Sequence, residues 1–301
     1  MAKLLKKRKV NENGPRPHKM NTFAWIMFVF LCVYAVLLMF PYVLALVSSF
    51  KTLSDFTDRM FSLTTPTLEN YKRVFTEFIY PVTLNDGASG YYDFLGLTWN
   101  SFLYAFGGAV YLAVVPCFTA YCVAKFPYFF SKVIMIIVYV CLAIPIVGST
   151  ASEIQMTRML GIYDTIPGMW FMKCSFLGMY FLIYHAAFKS IPQDYAEAAY
   201  MDGAGNFAIF FKIMFPMVTN IVTLAMILQF VALWSDYSGA LYFMPSHPTL
   251  SLALLNFSSL SQTSATMQMA ACVLLCIPTM LLYAKFSDKF TNNLQMGGIK
   301  G

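Results

Sequence analysis

The stretch Ile191-Pro192-Gln193-Asp194-Tyr195-Ala196-Glu197-Ala198-Ala199-Tyr200-Met201-Asp202-Gly203 lies between two strongly apolar segments. It carries two short helical patterns about a glycine, in a chain too apolar to spend polar helix on an idle loop. Pro192 and Asp194 suit a first helical turn, where no backbone donor is needed and negative charge meets the positive end of the helix dipole. Ala198 and Ala199 offer a small, smooth surface flanked by the charges of Glu197 and Asp202, and Gly203 permits the chain to reverse. Phe207, Phe210, Phe211 and Met214 are spaced to anchor a second helix against a bundle. The stretch reads as a docking knob for a partner's pocket. The plain alternative is an amphipathic helix lying in a membrane interface.

The segments around it set the class. The chain is 59% hydrophobic and only 11% charged, with a mean hydropathy of +0.63, whereas a soluble chain carries roughly 25% charged residues. Lys, Arg, Asp and Glu are all absent from Thr22 to Phe50, Phe94 to Ala124, Val133 to Ser152, Ile213 to Ser235 and Tyr237 to Ala284. A bilayer-spanning helix needs about 20 mostly apolar residues. The expectation is an all-α polytopic membrane protein with six transmembrane helices, near Phe23–Val47, Thr98–Val123, Val133–Ile154, Gly168–Phe188, Met217–Leu233 and Met267–Phe286. Lys173 interrupts the fourth. Pro245, Pro248 and the run Ser258–Ser264 mark an outer loop, either fully outside or re-entrant, before the last span. Short alternating segments of the kind a barrel needs are not seen.

Basic residues orient the spans. With the N-terminus in the cytosol, Lys3, Lys6, Lys7, Arg8, Lys9, Lys125, Lys132, Lys189, Lys212, Lys285 and Lys289 all fall inside, and an even span count puts both termini there. The net charge of +6 then reflects topology rather than nucleic-acid binding. The domain reading is a cytosolic basic segment 1–22, a six-helix transmembrane domain 23–286 with an outer loop 48–97 and a cytosolic loop 189–216, and a cytosolic tail 287–301. Within the outer loop, Leu68–Tyr80 predicts a helix with Tyr71, Val74, Phe75 and Phe78 on one face. It is either a lid or contact for an external partner or a helix lying on the membrane surface.

Enzymatic chemistry finds little support. There is no Gly-rich phosphate loop ending in Lys-Ser or Lys-Thr and no His-Glu-x-x-His. The seven cysteines share no metal spacing with the three histidines. No cofactor is expected in this chain.

The residues of the opening stretch resemble the EAA loop of binding-protein-dependent ABC importer permeases. That loop is Glu-Ala-Ala, three residues, Gly, nine residues, Ile, one residue, Leu-Pro. Here Glu197, Ala198, Ala199, Gly203, Ile213 and Pro216 match, and Phe215 replaces the Leu. Asp194-Tyr195-Ala196 departs from the more frequent Glu-Leu-Glu. Glu69-Asn70-Tyr71-Lys72-Arg73-Val74-Phe75, Trp99-Asn100-Ser101-Phe102, Thr249-Leu250-Ser251-Leu252-Ala253-Leu254 and the tail Gly297-Gly298-Ile299-Lys300-Gly301 resemble the smaller, MalG-type permease of the carbohydrate-uptake branch. The segment Gly87–Gly96 resembles a family-variable insertion.

The resemblance implies a type I ABC importer permease fold in a bacterial inner membrane. It implies a second homologous permease subunit, a cytosolic ATPase dimer that binds ATP and Mg, an extracytoplasmic solute-binding protein, and a sugar or oligosaccharide as cargo in a lipid bilayer. Asp194, Glu197, Ala198, Ala199, Asp202, Gly203, Ile213 and Pro216 would couple the ATPase to the spans. From the residues themselves, Asp236 beside Trp234 and Tyr237 is a pathway candidate, since ionisable groups at a membrane edge usually face a cavity and aromatic faces suit sugar rings. An interfacial aromatic belt is the competing account of Trp234 and Tyr237. Lys173 either snorkels outward or lines the pathway and pairs with Asp236. Asn100, Ser101 and Gln229 are weaker candidates. The rival readings are a stand-alone ion-coupled transporter and an ABC permease for a non-sugar solute.

Overall fold

A computed structural model describes residues 21–58, 66–83, 89–126, 128–144, 148–257 and 264–296, with side chains described to 287. It divides into two compact units, one ending at Ala45 and the other beginning at Leu46. The first unit holds most of helix α1 (Thr22–Ser49), which is apolar and exposed along its length.

The second unit opens with α2 (Leu53–Asp58), α3 (Glu69–Glu77) and a two-stranded antiparallel hairpin, β1 (Tyr80–Thr83) and β2 (Ser89–Tyr92), with Tyr80 opposite Tyr92. The hairpin is an addition to the expected all-α architecture. β2 occupies part of the segment that resembled an insertion, and Asp93 then caps the next helix by accepting the Gly96 N–H at 2.8 Å. The α3 helix packs inward: Val74 and Phe78 are fully buried, and Phe78 stacks on Phe257 at 4.0 Å between ring centroids. Asn70 fastens it, donating to the carbonyls of Ser49 and Lys51 and accepting from the Thr266 hydroxyl. The helix is therefore part of the packed unit.

Helix α4 (Phe94–Lys125) is the central post. Ser101, Ala105, Ala109, Ala113 and Cys117 recur every fourth residue and are all buried. A stripe of small side chains lets neighbouring helices approach closely, which is how helices pack where water gives no drive. α5 (Phe129–Ala143) and α6 (Thr150–Met159) follow, then α7 (Ile166–Met172) and α8 (Met179–Ser190). α7 docks across α4 with the Trp170 indole donating to the Leu103 carbonyl. A Cβ on Gly107 would stand 2.1 Å from that ring, so glycine is required there.

The remaining elements are α9 (Asp194–Met201), α10 (Asn206–Ile209), a wide π turn (Phe210–Met214), α11 (Phe215–Trp234), α12 (Ser238–Phe243), α13 (Leu250–Phe257) and α14 (Ala265–Met296). Helices α1, α4, the continuous stretch Asn206–Trp234, and Ala265–Ser287 within α14 are long and apolar enough to cross a membrane. The third and fourth expected spans are each two shorter helices. After α5 the backbone at Ile144 is extended, as the residue before a proline prefers, and Gly148 takes φ +82°. The fourth breaks between Lys173 and Gly178, where the Ser175 hydroxyl accepts the Leu177 N–H. α14 runs beyond the expected boundary at 286 to Met296, and 297–301 lie outside the described residues.

Candidate functional site

Two places concentrate the candidate residues. The first is the elbow between α8 and α11. Asp194 and Glu197 occupy the first turn of α9, where carboxylates meet the positive helix end. Pro192 stands just ahead of the cap residue, Gln193. α9 stops in a Schellman motif: Gly203 N–H donates to the Tyr200 carbonyl and Ala204 N–H to the Ala199 carbonyl. That geometry needs a left-handed residue, and Gly203 supplies φ +80°.

The elbow has two faces. Ala196 and Ala199 point inward into the core built by Tyr121, Phe188, Ile209 and Met214. Glu197, Ala198, Asp202 and Gly203 point outward. Tyr195, Tyr200 and Met201 are exposed beside them, Met201 to 87%. The smooth surface expected of Ala198 and Ala199 together is thus divided: Ala199 allows close packing within the chain and Ala198 faces out. Phe210 and Met214 anchor the following helix as expected from their spacing, whereas Phe207 and Phe211 are exposed. Asp202 at the end of α9 opposes the helix dipole, so its carboxylate is placed against the local preference.

Two connections tie the elbow to the long helices. Lys125, the last residue of α4, donates from Nζ to the Ile191 carbonyl at 2.6 Å. On the other side, the Phe215 N–H reaches back five residues to the Phe210 carbonyl. Pro216 lacks an N–H and its ring crowds the preceding turn, and the wider π turn accommodates both. Ile213 is half-buried against the core and Pro216 is exposed.

The second place is a cavity of about 240 Å³ lined in part by Glu153, Lys173, Asp236, Ser238 and Tyr242. Asp236 is held from four directions. Tyr104 Oη donates to Oδ2 at 2.7 Å, and the Ser238 hydroxyl, the Ser238 N–H and the Gly239 N–H all donate to Oδ1. Burial raises its pKa, but the Ser238 and Tyr104 bonds, with the Gly239 N–H and the charge of Lys173, carry the net value below the usual carboxylate range. Lys173 lines the same cavity and, among the described residues, forms no ion pair with Asp236. Glu153, whose Oε1 accepts from the Ser149 hydroxyl, is a further carboxylate there. In the sequence Glu153 directly follows the charge-free run Val133–Ser152, where it looks like the polar boundary of a span.

The other candidates lie apart from this cavity. The Trp234 side chain is buried and its indole donates to the Leu275 carbonyl. Tyr237 is about half exposed. Asn100 donates to the Pro248 carbonyl and the Ser101 hydroxyl accepts the Leu250 N–H, so both seat the α12–α13 connection on α4. Gln229 is half-buried.

The family described as binding-protein-dependent transport system inner membrane component matches residues 113–292. The diacetylchitobiose uptake system permease protein NgcG of Streptomyces coelicolor is 25% identical over 283 residues, covering 91% of this chain and 88% of its own. The maltodextrin transport system permease protein MdxG of Bacillus subtilis is 22% identical over 283 residues, covering 91% and 95%. Among solved structures, a bacterial ABC transporter involved in the import of the acidic polysaccharide alginate contains a chain that superposes with a TM-score of 0.70 at 19% identity. The likeness covers 88% of this chain and 95% of that one, and establishes a shared fold.

Proposed function

The chain belongs to the family of binding-protein-dependent transport system inner membrane components, and from that premise we propose that it is one of two homologous permease subunits lining the path of an ATP-driven importer for a sugar or oligosaccharide. A permease of this family does not itself hydrolyse ATP; the ATPase, as a dimer binding ATP and Mg, is a separate cytosolic subunit. A solute-binding protein delivers cargo on the outer face. The chain crosses a bacterial inner membrane six times, by α1, α4, α5 with α6, α7 with α8, α11 and α14, with both termini in the cytosol.

The observation that carries this reading is the elbow. A rigid, glycine-terminated helix presents Glu197, Ala198 and Asp202 outward while Ala196 and Ala199 lock its other face to the core. Force applied at α9 is passed to α4 through Lys125 and to α11 through the π turn, which is what alternation between inward and outward openings requires. On the far side, Asp236, Glu153, Lys173 and Tyr242 offer the acceptors, donor and ring that hydroxyl-rich cargo needs. Cargo of the sugar class is supported by the names of the relatives, a diacetylchitobiose and a maltodextrin system. Family membership disfavours a stand-alone ion-coupled transporter.

The test is a cysteine at Ala198 in the assembled importer in native membranes. Cross-linking from that position captures a nucleotide-hydrolysing subunit. An assembly that takes up sugar yet yields no such adduct from Ala198 or its neighbours overturns the coupling assignment.

A further inference from the structure

At the end of the helices that carries the elbow, a separate cavity of about 350 Å³ lies between the close of α4, the first turns of α5 and the last turns of α8. Its polar lining is Lys132, Lys189, His185, Ser131 and Tyr128, and among the described residues no carboxylate lines it. Two ammonium groups facing one hollow repel one another, and an anion seated between them relieves that repulsion while the imidazole beside them can donate a hydrogen bond.

The other walls are Val123, Ala124, Met135 and Ile136. Ile136 is 61% exposed, and at the mouth Tyr128, Phe129 and Phe130 form a run of three aromatics each about 70% exposed or more. Consecutive exposed rings beside a basic cluster have the character of a membrane–water boundary, where aromatic rings rest at headgroup level. The hollow therefore has a cationic interior at headgroup depth and an apolar flank running from it along α5.

We propose that this cavity is a binding site for the phosphodiester headgroup of an acidic phospholipid, held by Lys132, Lys189 and His185, with its acyl chains along Ile136 and the exposed face of α5. Basic pockets between membrane helices are the usual recognition chemistry for such headgroups. The volume suits a headgroup and not a whole lipid. Lys189 stands two residues before Ile191, whose carbonyl is held by Lys125, so an occupant sits beside the root of the elbow. The inference rests on the membrane placement proposed above.

The test is lipid retention by the intact, membrane-extracted importer, read by native mass spectrometry after exchange into detergent doped with phosphatidylglycerol, with phosphatidylcholine, or with inorganic phosphate alone. The expected result is retained phosphatidylglycerol over phosphatidylcholine, weakened roughly 30-fold by Lys132→Gln with Lys189→Gln, since each lysine near an anionic headgroup contributes a factor of about five. Lys132→Arg with Lys189→Arg retains the lipid, and Lys72→Gln with Lys285→Gln, an equal charge loss elsewhere, leaves it unchanged. Equal retention by the pocket variant overturns the site, as does displacement of phosphatidylglycerol by millimolar inorganic phosphate, which would mark a free-phosphate site. A chain recovered in the soluble fraction fails the membrane reading instead, so the two failures are distinct.

Discussion

Lys125 and Ile191 are 66 residues apart in sequence and joined by a 2.6 Å bond from the lysine ammonium to the backbone carbonyl. The carbonyl belongs to the cap residue that follows the last turn of α8, where the helix dipole is negative, so charge and hydrogen bond act together. The bond also fixes the end of α4 to the start of the elbow, and α4 packs on both α8 and α11. Lys125→Met keeps the apolar stem and removes the donor. We expect a local loss of about 1.5–3 kcal/mol, the scale of a hydrogen bond to a charged group. Hydrogen exchange in the assembled importer then accelerates across 191–201 with little change in α11. Unchanged exchange in α9 would show that the bond transmits nothing.

Gly203 separates conformational cost from steric cost. A Cβ there meets no atom within 4 Å, yet φ is +80°. Gly203→Ala should therefore cost about 1–2 kcal/mol from backbone strain alone, and Gly203→Asn less, because asparagine tolerates the left-handed region. Gly203→Pro forbids the angle and removes the N–H that closes on Tyr200. The expected outcome is a chain still inserted in the membrane whose partner hydrolyses ATP without sugar uptake. Thermal unfolding ranks the first two variants, and paired hydrolysis and uptake assays judge the third; normal coupling in Gly203→Pro contradicts a lever role.

How much of this was legible in the sequence follows the range of the interactions. The elbow could be read because its caps, its Schellman turn and Pro216 act within a few residues, and their chemistry is written in the residue types. The inward turn of Ala199 and the outward turn of Phe207 could not, because they depend on which neighbouring helix covers each side. Asp236 stood out as an ionisable group at a membrane edge, but its partner Tyr104 lies 132 residues away. Trp234 and Asn100 were candidates by residue type, and the bonds their donors make to the Leu275 and Pro248 carbonyls depend on segments distant in sequence that residue type does not reveal. The breaks in the third and fourth expected spans were signalled by Pro145, Gly148, Lys173 and Gly178, residues that hydropathy averages away.

Asp236 should give the cavity an acid limit. Its folded-state pKa lies below the usual carboxylate range, so its bonds contribute fully above that range and are lost as the pH falls through the depressed value. Tyr104→Phe removes one of the bonds that hold the pKa down and moves the loss of stability to higher pH. Gly239→Ala has a similar effect by a different route, since a Cβ would come within 2.4 Å of the Tyr104 oxygen and 2.8 Å of Asp236 Oδ2. Asp236→Asn abolishes this part of the pH dependence. Melting profiles of the assembled importer between pH 3 and 7, about the range where a carboxylate titrates, check the order; an unshifted acid limb in Tyr104→Phe refutes it.

Asn70 offers a test at the outer segment that leaves both candidate sites untouched. Its amide satisfies the backbone carbonyls of Ser49, the last residue of α1, and of Lys51 just beyond it, at 2.8 and 2.7 Å, and its oxygen takes the Thr266 hydroxyl at the start of α14. The side chain is 4% exposed, so water cannot readily replace it. Asn70→Leu keeps the volume and leaves two carbonyls and a hydroxyl without that partner, for a cost of about 2–4 kcal/mol when only part of the penalty is relieved by local adjustment. Asn70→Asp is the sharper variant: a carboxylate can still accept from Thr266 but turns an acceptor toward both carbonyls, and should destabilise at least as much at neutral pH while recovering in acid, where a protonated oxygen can donate to one of them. Thermal unfolding of the two variants at neutral and acid pH checks the sign. If Asn70→Leu is neutral, the amide is not what joins α3 to α1 and α14, and the packing of Val74 and Phe78 alone holds the segment in place.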